Sequence, residues 1–103
     1  MQFEWHPHKN RANLAKQGID FATAALVFAD PQLTLREDRV DETGERRWHA
    51  LGLAAGLEPL LLVVHVYREA SDGEEIIRII SARKACARER RAHFRQADHE
   101  GSA

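Results

Sequence analysis

Cysteine is nearly absent: Cys86 stands alone, so no internal disulfide can form and no cysteine spacing suits a metal. A reducing cytoplasm is the expected compartment. Long apolar runs are missing too. Runs such as Leu60 to Val64 are far too short to cross a bilayer, and the opening MQFEWHPHKNR has no apolar signal core, so no membrane partner is expected. There is no internal repeat, Gly-rich phosphate loop, nucleophile elbow or paired-carboxylate signature. His6 and His8 lie two apart, but nothing beside them completes a metal site, and neither a metal nor a cofactor is expected.

What is present describes one folded domain. The 103 residues suffice for a single core but not for two, and 44% apolar with 30% charged content is that of a globular chain rather than a disordered one. The net charge of −1 hides a strong asymmetry. Ile76 to Arg95 holds seven basic residues (Arg78, Arg83, Lys84, Arg88, Arg90, Arg91, Arg95) and one acid, Glu89, whereas the remainder carries eight basic and fifteen acidic residues. A patch of this kind suits a polyanion or an acidic protein; a solvated helix face is the plainer reading.

In chain order, Gln2 to Trp5 can form a short strand, and Pro7 suits the first turn of a helix that stops at Gly18. Lys9, Asn13 and Lys16 share a face of it, read as solvated surface in preference to a phosphate-facing one. Asp20 caps a core helix, Phe21 to Phe28. Alternation then predicts strands over Leu33 to Glu37, Glu45 to Leu53, Leu60 to Arg68 and Glu75 to Ser81, the third central because it is the most apolar. The loop between the second and third runs through Gly56 and Pro59. Ser81 is placed as the cap of a basic helix starting at about Ala82, with Cys86, Glu89 and His93 on its packed face. The expected fold class is α+β: two N-terminal helices, an antiparallel meander of about four strands and a C-terminal basic helix, in a domain over 1–96 with a flexible tail over 97–103. Trp5 and Trp48 are read as core anchors. Arg78 is anomalous, since a guanidinium on a strand that looks buried must reach solvent, a carboxylate or a phosphate.

The opening FEWHPHKNRANLAKQGIDFATAALVFADP, the segments GERRWHALG and LLLVVHVYR, and the closing IRIISARKACARERRAHF resemble the BrnT toxins, the ribonuclease halves of BrnT/BrnA type II toxin–antitoxin systems. The resemblance spans nearly the whole chain. It implies a RelE-like α+β fold and endoribonuclease activity that blocks translation. It also implies a ribbon-helix-helix antitoxin in a toxin–antitoxin heterotetramer, with operator DNA touched only through the antitoxin. The chain departs from the family pattern at His6, Gln17 and Phe94, where aspartate, histidine and tyrosine are usual. Those departures keep open a second reading, an interaction module that binds an antitoxin and supports transcriptional autoregulation.

Cleaving RNA without a metal requires a base for the 2′-hydroxyl, cations for the charge growing on the phosphate, and an acid for the leaving 5′-oxygen. Arginine fits the middle role because its fork matches phosphate oxygens. Arg78 and Arg83 are the leading candidates. His65, His49 and Tyr67 are nominated for proton transfer, with Glu75 behind them, although a satisfied structural histidine is the more common explanation for a residue placed as His65 is. Arg46, Arg68, Lys84, Arg88 and Arg91 are the candidates for binding RNA.

Overall fold

A computed structural model describes residues 1–101, with side chains over 1–96. Local chemistry sets most of the element ends. Strand β1 (Gln2–Glu4) leads into helix α1 (Pro7–Gln17), whose first turn loses nothing to the missing Pro7 N–H. His6 caps α1, its Nδ1 accepting from the His8 N–H at 3.1 Å, and Gly18 ends it at φ 74°, donating to the Leu14 carbonyl. Asp20 caps α2 (Phe21–Ala25) by accepting from the Thr23 N–H at 2.8 Å, and the Thr23 side chain first, with that N–H after it, holds its carboxyl below the usual range. The expected single helix tightens after Ala25 into a 3₁₀ turn, Leu26–Ala29.

Four strands follow: β2 (Thr34–Val40), β3 (Arg46–Ala54), β4 (Leu57–Glu69) and β5 (Glu75–Lys84), then helix α3 (Ala87–Gly101). They form the expected antiparallel meander, with β4 in the middle. The sheet nevertheless has five strands in the order β1-β5-β4-β3-β2, because β1 joins parallel to β5, Phe3 opposite Ile77. Three alternating residues could not announce a partner or a direction. The expected loop at Gly56 to Pro59 is instead a two-residue turn, Ala55 and Gly56 at φ 53° and 73°, so pairing persists to Ala54 opposite Leu57 and Pro59 lies within β4.

The larger correction concerns the last strand. It continues through Ser81 to Lys84, and the helix starts at Ala87 rather than Ala82. Ser81 is therefore no cap, and Cys86 is exposed rather than packed. Two tertiary interactions hold this segment extended. Asn13 of α1 accepts from the Ala82 N–H at 3.1 Å and donates to its carbonyl at 3.0 Å, and the Ala85 N–H donates to Leu60 at 2.9 Å. Asn13, read from sequence as surface, is thus a bridge between α1 and β5.

The helices α1 and α2 cover one face of the sheet, where Phe21, Ala24 and Val27 pack on Ala50, Leu61, Val63, Ile77, Ile79 and Ala82. Burying each large apolar side chain there is worth roughly 1.5–3 kcal/mol. On the other face Ala85 and Phe94 pack on Leu51, Leu60 and Leu62. The tail expected over 97–103 lies outside the residues with described side chains.

Candidate functional site

The site is made by a bulge. On β5, Arg78 lies opposite Val66 of β4 and Ile79 opposite His65, but Ser81 already faces Val64, so Ile80 is an extra residue. Without it Arg78 and Arg83, five positions apart, would point to opposite faces. With it, Arg83 falls opposite Leu62, and both arginines project from the face that α1 and α2 leave open. Arg78 and Arg83 are separated by the four-residue step from Val66 to Leu62, about 13 Å of strand.

Between them lies the row Ser81, Val64, His49 and Arg36, each opposite the next. Arg68, two residues beyond Val66 on β4, extends the same face beside Arg78. Helix α3 crosses the far end, where its buried His93 bonds Thr34 Oγ1 through Nδ1 at 2.8 Å; burial lowers the His93 pKa. The result is a strip of sheet lined by Arg36, His49, Arg68, Arg78 and Arg83.

Each of its arginines but Arg36 is held by a carboxylate. Glu89 takes Arg83 bidentately at 2.9 and 2.8 Å and accepts from the Cys86 N–H at 2.8 Å, reaching back as an acid at the third helical position does to start α3. The Arg83 contact first, and the Cys86 bond after it, hold the Glu89 carboxyl at about 2 against burial, and the same pairing raises Arg83. Glu4 receives Arg68 at 3.0 Å and Arg78 at 3.3 Å on one oxygen, Oε1. His49 Nε2 lies 3.3 Å from Asp38, beside the β2 irregularity. Arg36 has no ion-pair partner among the described residues.

This arrangement divides the residues nominated from sequence. Arg78, Arg83, His49 and Arg68 share the open face. His65 and Tyr67 project from the other, helix-covered one. His65 is fully buried, its ring edge-on to Phe28 and Tyr67 at 4.8 and 5.0 Å, and Nδ1 reaches only the Val63 carbonyl at 3.3 Å. Desolvation lowers its pKa to about 4. Tyr67 is half-buried against Trp48, and burial followed by the nearby Glu75 raises its pKa. Arg46 pairs with Glu37 at 2.6 Å on the Trp48 side of β3. Lys84 ends β5, and Arg88 and Arg91 stand exposed on α3 with no ion-pair partner among the described residues.

Residues 5–89 match the model of the ribonuclease toxin, BrnT, of type II toxin–antitoxin systems. The chain belongs to the BrnT toxin family. Membership makes RNA the target and an antitoxin the partner. Among curated proteins none matches the chain. Among the described residues no helix is long and apolar enough to cross a membrane, and no three His, Cys, Asp or Glu side chains gather as a metal site.

Two of the three departures from the family pattern occupy structural positions: His6 caps α1, and Phe94 packs on Leu51, Leu60 and Leu62 beneath the Arg90 guanidinium at 5.4 Å. Gln17 lines a hollow of about 380 Å³ beside Leu57 and Lys84. Sequence reasoning missed Glu4, Arg36, Asp38 and Asn13. Only the sheet register and α1 packing bring them to the site.

Proposed function

We propose that the open sheet face binds single-stranded RNA and cleaves it without a metal ion. The observation that carries this reading is the β5 bulge, which puts Arg78 and Arg83 on one face with His49 lying between them two strands away. A phosphodiester lying across Val64 meets Arg78 on one side and Arg83 on the other. Their guanidiniums leave Glu4 and Glu89 in part, and stabilise charge on the phosphate as the 2′-oxygen attacks. His49, oriented by Asp38, protonates the leaving 5′-oxygen. The products are a 2′,3′-cyclic phosphate and a free 5′-hydroxyl.

Cleavage of messages by this route stops translation. A ribbon-helix-helix antitoxin neutralises the chain in a cytoplasmic heterotetramer and alone contacts operator DNA. The structural positions of His6 and Phe94 favour an active enzyme over an interaction module, because neither residue lies in the strip that does the chemistry.

The test is cleavage of a defined RNA by antitoxin-free protein in EDTA. Wild type is expected to yield cyclic-phosphate ends, and folded Arg78→Ala, Arg83→Ala to lose at least about 100-fold in rate, the size of a lost transition-state donor. Because Arg83 also neutralises Glu89, the single Arg78→Ala change serves as the milder variant. No cleavage by folded wild type overturns the reading.

A further inference from the structure

Buried His65 cannot reach RNA, and one histidine on the open face cannot both take a proton from the 2′-hydroxyl and give one to the 5′-oxygen in the same step. A second proton-transfer group is needed. The carboxylates of that face differ in what they have left to offer. Glu89 uses both oxygens, Oε1 for Arg83 and Cys86 and Oε2 for Arg83 again. Asp38 is engaged with His49. Glu4 binds both arginines through Oε1 alone, and its Oε2 has no bond among the described residues.

Glu4 also stands in the right place. It pairs with Arg78 across the β1–β5 junction, while His49 lies on β3, so a phosphate held by Arg78 sits between the two. An in-line displacement needs its base and its acid on opposite sides of the phosphorus. The carboxylate lies just outside the span that matches the family, 5–89.

Building on the ribonuclease reading above, we infer that Glu4 is the catalytic base. Oε1 stays on Arg68, which fixes the carboxylate while Arg78 turns in part to the phosphate. Oε2 accepts the 2′-hydroxyl proton as the 2′-oxygen bonds to phosphorus; the bond from phosphorus to the 5′-oxygen breaks, and that oxygen takes a proton from His49. One proton is gained at Glu4 and one is lost at His49, so the cyclic product forms with charge in balance.

The experiment compares Glu4→Gln, Glu4→Asp and Arg78→Ala with wild type, measuring kcat and KM in EDTA and binding to RNA made uncleavable by 2′-O-methylation. Glu4→Gln keeps acceptors for both arginines while losing the base. Its kcat is expected to fall about 100-fold or more with binding unchanged or tighter, and Glu4→Asp to recover part of the loss. If Glu4→Gln cleaves as wild type does while Arg78→Ala is inactive, the base assignment is overturned and the ribonuclease reading stands. A loss confined to KM and binding, with kcat intact, also overturns it, since a merely structural counter-ion behaves that way. If folded wild type cleaves nothing, both readings fall together.

Discussion

Two side chains, His65 and Glu89, carry the largest shifts in the acid response of the fold. His65 is buried without a partner for Nε2, and its pKa is lowered to about 4 from 6.5 by desolvation. Between these values the unfolded chain binds the proton and the folded chain does not. Stability is therefore full above about pH 6.5 and falls by about 3 kcal/mol as pH drops to about 4. Glu89, held at about 2 by Arg83 first, adds a second loss of the opposite origin: its ion pair stabilises the fold above 4.5 and is lost as pH falls from there toward 2. Urea unfolding at stepped pH should show both stages. In His65→Phe the first should shrink to the share of buried His93, whose pKa burial also lowers; an undiminished drop between pH 6.5 and 4 would assign it to other groups. The sequence nominated His65 for catalysis because it could not show that Phe28 and Tyr67 close over the ring.

Among the elements, β5 carries the most consequence, and Asn13 holds it in place. That amide makes three bonds, two to the Ala82 backbone and one to the Ile19 carbonyl, beyond the point where β1 ends at Glu4. It does for Ala82 what a neighbouring strand would. Asn13→Ala leaves these backbone groups without a protein partner, and a loss of roughly 2–4 kcal/mol is expected from unpaired groups of this kind. Cleavage should also fall at temperatures where the variant is still folded, because Arg83 follows directly after Ala82. A thermal melt and a cleavage assay on the same sample check this; unchanged activity would show that the bulge does not depend on α1. None of this was legible in ISARKACARE, where nothing favours strand over helix and alternation ends at the extra residue, Ile80.

On the scale of the whole molecule the charge separation matters more than any one pair. The exposed cations of α3 flank a strip whose arginines, Arg36 apart, are balanced by carboxylates, so under the proposed reading RNA is attracted from a distance and then competes locally with Glu4 and Glu89. With about four phosphates contacted, the logarithm of affinity for single-stranded RNA should fall with the logarithm of salt at a slope near −3. Arg88→Ala and Arg91→Ala together should flatten that slope by about 1 while leaving kcat unchanged. A slope unaltered by the pair would place RNA away from α3.

What the sequence determined by itself was whatever depends on near neighbours. The Pro7 and Asp20 helix starts, the stop at Gly18, the apolar centre of β4, the α+β class and the crowding of basic charge toward the C-terminus all follow from composition, caps and alternation. Arg78 was marked as anomalous because a guanidinium on an apolar strand must reach solvent, a carboxylate or a phosphate, and it reaches the Glu4 carboxylate. Tertiary structure decided which faces those residues share. One extra residue in β5 reverses the side on which every later side chain emerges, and its position is set by Asn13 and Leu60, distant in the chain. The parallel pairing of β1 brought Glu4 beside Arg78 across seventy-four positions. Periodicity reports the neighbours of a residue along the chain; which carboxylate meets which arginine is fixed only when the sheet closes.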